Sequence, residues 1–72
     1  MAVNSNHYFA FGGKDTETSL LSHIQGLIPE SASTISGARD LITEGRRRFP
    51  TYPDKVGIVK VTVRVEIVEE PK

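Results

Sequence analysis

Hydrophobic and polar positions alternate strictly near the C-terminal end of the chain, where Val59, Val61, Val63, Val65 and Ile67 are separated by Lys60, Thr62, Arg64 and Glu66. Period-two alternation in β-branched residues predicts a strand with one apolar and one wet face. The pattern covers residues 56–69. At ~3.3 Å per residue such a strand spans roughly 40 Å, more than twice the ordinary length. A second alternation runs from His7 to Phe11, with His7, Phe9 and Phe11 on one side and Tyr8 and Ala10 on the other; Val3 and Ser5 extend it. Gly12-Gly13 ends it.

The period changes between the strands. Leu20, Leu21, Ile24, Leu27 and Ile28 recur at helical spacing. Asp15 or Thr16 is placed to cap that helix, Glu17 suits its dipole, and Pro29 stops it. Residues 30–36 are rich in serine and threonine, which compete for backbone hydrogen bonds, and Ser31, Ser33 and Ser36 are the candidate caps of a second helix. In that helix Ile35, Ala38, Leu41, Ile42, Gly45 and Phe49 share a sector. Gly45 implies either a close approach or an early helix end. Pro50 and Pro53 lead into the long strand.

The order is therefore β-α-α-β, an α+β domain spanning 1–72 with short frayed termini. Two helices forming a hairpin return the chain antiparallel, with both helices on one face of a small sheet. The expected core is Phe9, Phe11, Leu20, Leu21, Ile24, Leu27, Ile28, Leu41, Ile42, Val61, Val63 and Val65. Two strands make a weak sheet, and so long an edge calls for a partner. Pairing of two copies extends the sheet and supplies a homodimer.

Length and composition point the same way. A chain of 72 residues with no cysteine cannot staple itself with disulfides, and a core of this size rarely yields more than ~3–5 kcal/mol net. Oligomerisation is the remaining device. Nine basic and nine acidic residues cancel, which argues against a surface devoted wholly to nucleic acid. Charge is unevenly placed, however. Arg39, Arg46, Arg47, Arg48, Lys55 and Lys60 face only Asp40, Glu44 and Asp54 over residues 39–60. The opening residues lack a basic start and an apolar core, and no apolar run approaches the ~20 residues of a membrane span. A cytoplasmic protein without membrane partners is expected.

Several motifs invite chemistry and fall short of it. Gly12-Gly13-Lys14 precedes a helix, but a Walker loop needs glycine where Tyr8 stands and Ser or Thr where Asp15 stands. Phe9-Ala10-Phe11 resembles the aromatic core of the RNA-recognition motif over three residues, yet Asn6-His7 replaces the preceding basic-glycine pair. These rings are expected in the core. His7 and His23 lie on different elements without cysteine nearby, so no metal or other cofactor is expected. Ser22-His23 are adjacent on a helix and point about 100° apart, so they form no nucleophile–base pair. The chain reads as a non-enzyme.

The candidate contact surface is Arg39, Arg46, Arg47, Arg48, Tyr52, Lys55, Lys60 and Arg64. The arginine run has a structural alternative, since cations near a helix C-terminus complement its last carbonyls by ~0.3–1 kcal/mol. These features describe a small non-catalytic interaction module, a regulator or inhibitor that occupies a surface of a partner protein. Small inhibitors encoded by phages and other mobile elements share this size and composition, an analogy that no motif carries. The alternative is a nucleic-acid-binding regulator acting through Arg46–Arg48. A small-ligand or anion sensor built on the Gly12-Gly13 turn is the least supported reading.

Overall fold

The first alternating segment becomes strand β1, Ala2–Gly12, and the valine-rich segment becomes β2, Val56–Glu66. They pair antiparallel without a bulge, from Ala2 opposite Glu66 to Gly12 opposite Val56. Between them lie helix α1, Glu17–His23, and helix α2, Ile35–Arg48. The computed structural model describes residues 2–25 and 30–71. The antiparallel β-α-α-β order agrees with the sequence pattern. Strand β1 uses the whole N-terminal alternation, whereas β2 stops at Glu66, three residues short of the patterned stretch.

Local chemistry sets the helix ends. Thr16 caps α1: its hydroxyl accepts from the Ser19 amide at 3.2 Å, while Ser19 Oγ accepts from the Thr16 amide at 2.9 Å. This reciprocal pair satisfies two otherwise orphaned donors. The helix stops at His23, with Ile24 as its C-cap. It is thus shorter than the apolar stripe suggests, and the predicted core positions Leu27 and Ile28 lie outside the described residues. Helix α2 is capped by Thr34, whose hydroxyl accepts from the Gly37 amide at 3.0 Å. None of the three expected serines takes that role. The β-branched Thr34 is already extended, with φ −137° and ψ 159°, as an N-cap residue requires.

Among the described residues the buried core consists of Phe9, Leu20, Ala38 and Ile42. Burying a Phe, Leu or Ile side chain contributes ~1.5–3 kcal/mol. Helix α2 packs chiefly on β1 and less on β2. Two expected core residues are exposed. Leu21 is 68% exposed because α1 is a short helix with Leu20 turned inward, and the next residue points about 100° away. Val65 is 57% exposed because it lies near the end of the ribbon remote from the helices. Phe11, Ile24, Leu41, Val61 and Val63 are only half-buried. The register of β2 nonetheless has the expected sense, with Lys60, Thr62 and Arg64 more exposed than Val59, Val61 and Val63.

The molecule measures 55 × 23 × 15 Å, with a radius of gyration of 15.1 Å. A compact chain of this length would have about 11 Å. The excess is the ribbon: β1 is buried at Phe9, half-buried at His7 and Tyr8, and exposed from Val3 to Asn6.

Candidate functional site

The predicted basic sector divides into two groups. At the C-terminal end of α2, Arg47 and Arg48 both bond to Glu44, Arg47 through two guanidinium nitrogens and Arg48 through Nε at 2.9 Å. Their spacings of three and four residues place all three side chains on one stretch of helix surface. The arginines hold the Glu44 carboxyl below the usual glutamate range, Arg47 most strongly through its hydrogen bonds. Arg46 turns elsewhere and donates from Nη2 to the Asp54 carbonyl at 3.0 Å. It thereby ties the helix end to the segment entering β2.

The Tyr52 ring packs against this helix end at Gly45. A Cβ on Gly45 would lie 2.5 Å from Tyr52 Cε2, so glycine here permits a close approach and not an early stop. The Tyr52 amide donates to the Phe49 carbonyl at 3.0 Å, and Lys55 passes beside Gly13. Tyr52 is therefore half-buried structural support for the turn.

The second group lies on the even-numbered side of the ribbon. Arg39 and Lys60 line a shallow groove with Tyr8, Ile35, Val56 and Ile58. Farther along the ribbon are Asn6, which accepts from the Thr62 hydroxyl at 2.9 Å, and Arg64, paired with Glu66 at 3.0 Å. Toward the tip, from Lys60 to Arg64, this face is polar, mildly basic and exposed, whereas at the base Tyr8, Val56 and Ile58 are half-buried and apolar. Arg39 and Arg46 are seven residues apart, close to two helical turns, so one side of α2 links the two groups.

The other sequence candidates find structural uses. Phe9 is 5% exposed and so has no face for base stacking. The Phe11 ring lies over Gly57, where a Cβ would come within 2.6 Å of it. The Gly12–Asp15 segment is a turn, closed by the Asp15 amide donating to the Gly12 carbonyl at 3.0 Å. His7 has Ser5 Oγ 2.7 Å from Nε2 and Ser31 Oγ 3.4 Å from Nδ1. Among the described residues no three of His, Asp and Glu gather as a ligand set, and no helix is long and apolar enough to cross a membrane.

One feature was not visible in the sequence. Tyr8 exchanges both backbone bonds with Ala32, at 2.8 and 2.9 Å, so residue 32 guards the outer edge of β1. A single bridging residue carries no periodicity and leaves no sequence signal. Its consequence is geometric. Because Tyr8 turns its N–H and C=O away from β2, the even-numbered residues of β1 face outward and the odd-numbered ones bond to β2. Through the register, Val59, Val61 and Val63 bond inward, while Val56, Ile58, Lys60, Thr62 and Arg64 direct their backbone groups to the far edge. Among the described residues nothing pairs with that edge. Comparison with protein-family models, curated proteins and solved structures gives no match.

Proposed function

We propose that this chain is a small non-catalytic interaction module that works as a homodimer and occupies an acidic surface of a partner protein. The observation that carries the reading is the unsupported half of the ribbon. Val3 is 63% exposed, Val65 is 57% exposed, and among the described residues the outer edge of β2 has no strand partner. Natural sheets generally cover or blunt such an edge. Pairing two copies gives four strands and leaves the polar face bearing Arg39, Lys60 and Arg64 available to a third molecule. Arg39 and Lys60, and not the helix end, lead the candidates for contact, because Arg47 and Arg48 already share Glu44 and Arg64 is already paired with Glu66.

The nucleic-acid reading draws on the same basic residues and predicts a different salt response, since phosphate contacts weaken log-linearly with salt. The deciding experiment captures partners from native-host extract on the intact tagged chain, beside a variant carrying Arg39→Glu, Lys60→Glu and Arg64→Glu. Retained protein and nucleic acid are identified at low and moderate salt. A stoichiometric protein held by the parent and lost by the folded variant supports the proposal. Retention of nucleic acid with a steep salt dependence replaces it with the alternative. Equal protein capture by parent and variant removes this face from consideration.

A further inference from the structure

The dimer reading leaves the mode of pairing open, and the backbone parity of β2 narrows it. We infer that two copies join by antiparallel pairing of β2 with β2 about a two-fold axis at Val61; this rests on the homodimer proposed above. An isologous strand pair brings residue i opposite residue j and j opposite i. Outward backbone groups must meet outward groups, so even-numbered residues of one copy lie opposite even-numbered residues of the other. The axis can then pass only through whole residues, and charge distinguishes the choices.

Centring on Lys60 sets the two Lys60 side chains directly opposite one another. Centring on Thr62 sets Lys60 opposite Arg64 twice. Directly opposed like charges are destabilising. Centring on Val59 or Val63 avoids this but shortens the pairing to residues 56–62 or 60–66. Centring on Val61 engages the complete strand Val56–Glu66, with Lys60 opposite Thr62, Ile58 opposite Arg64 and Val56 opposite Glu66. The remaining like-charge approaches are diagonal, roughly 7–8 Å apart.

The same register gives the exposed valines neighbours. Val61 meets Val61, Val59 meets Val63, and Val65 arrives beside Gly57, over which the Phe11 ring already lies. The apolar tip of each copy is thereby set against the other copy's covered base.

The chain has no cysteine, so single cysteines report the register directly. In this arrangement Val61 faces its counterpart as a non-hydrogen-bonded pair, with Cα atoms about 4.5 Å apart, inside the disulfide range of about 4.4–6.8 Å. Under oxidised glutathione, Val61→Cys should convert largely to a disulfide-linked dimer at low micromolar concentration. Val59→Cys and Val63→Cys should each cross-link poorly alone and join efficiently when mixed. A second pair of variants needs no oxidant. Thr62→Glu and Thr62→Lys both lose the bond to Asn6, but the first places a carboxylate opposite the other copy's Lys60 and the second an ammonium. Sedimentation equilibrium should show the glutamate variant dimerising several-fold more tightly than the lysine variant. A dimeric parent whose Val61→Cys variant fails to cross-link, or whose two Thr62 variants dimerise equally, overturns the register while leaving the homodimer standing. A parent chain monomeric at 100 μM overturns both.

Discussion

Phe9 opposite Val59 and Val3 opposite Val65 are rungs of one ladder, on the same face and in unbroken register. Phe9 is 5% exposed and Val3 63%. The difference lies entirely in what covers the two ends. At the base, Ala32 closes the edge of β1 through Tyr8 and α2 packs on the strand; at the tip, among the described residues, each strand has only the opposite strand beside it. Strand formation is therefore separable from core formation in this molecule. Cross-strand pairing and alternation carry the ribbon past the point where tertiary packing supports it. A ribbon of two strands is at best marginal alone, so its tip needs either a partner or help from the base.

The largest test of that contrast is Phe9→Ala. Removing a buried phenylalanine costs ~3–5 kcal/mol, comparable to the whole stability of a domain this small. Its far-UV circular dichroism should be that of an unfolded chain at 25 °C. Val3→Ala at the tip should shift the urea midpoint of the monomer by less than about 0.5 kcal/mol equivalent. Equal costs at the two positions would show that the tip is packed as tightly as the base.

A second comparison works along β2. Val63→Pro removes an amide that bonds inward to β1, whereas Thr62→Pro removes one aimed at the open edge. Val63→Pro should lose the ribbon, seen as collapse of β-sheet circular dichroism and of amide protection in β1. Thr62→Pro should keep the intramolecular ladder and sediment as a monomer. Equal disruption by both would contradict the parity set by the Tyr8–Ala32 bridge.

These residues also show where sequence reading succeeds. The strands are legible because alternation is a local property, and the sense of the β2 register, valines less exposed than Lys60, Thr62 and Arg64 up to Val63, follows for the same reason. Leu21 and Val65 depart from the pattern because burial depends on where a helix ends and how far it reaches, which periodicity does not record. Thr34 displaced three serines as the cap of α2 because several residues in that run have suitable chemistry and only chain entry selects among them. Among the candidate contacts, the pairing of Arg47 and Arg48 with Glu44 was implicit in their spacing. The division of Arg39, Lys60 and Arg64 from the helix end required the fold.

Gly45 offers a subtler probe of the base. Replacing a helix-interior glycine by alanine ordinarily gains up to about 1 kcal/mol. Here the new methyl meets the Tyr52 ring, so Gly45→Ala should be neutral or destabilising in the parent. In a Tyr52→Ala background it should stabilise by about 0.5–1 kcal/mol. The coupling between the two substitutions, read from urea unfolding, measures the contact. Simple additivity would mean that the ring moves away freely.

The smallest expected effect concerns Glu44, which is solvent-exposed and shared by two arginines. Its carboxyl titrates below the usual glutamate range when folded, with the Arg47 hydrogen bonds the leading cause. A folded pKa below the unfolded value means that the ionised carboxylate favours the native state. Its contribution is complete above the unfolded glutamate pKa and is lost as pH falls through the lower folded value. Carbon-detected NMR should therefore place the side-chain midpoint of Glu44 below that of a glutamate in a model peptide. Arg47→Ala should raise the midpoint more than Arg48→Ala, because the bonds from Arg47 are the larger influence. Salt should shrink the shift, as expected for an exposed pair. If neither substitution moves the midpoint, the arginines act only on the carbonyls at the helix end; Arg47 and Arg48 then rejoin Arg39, Lys60 and Arg64 as cations available to an acidic partner, and the separation of the basic residues into a structural base and a binding face fails.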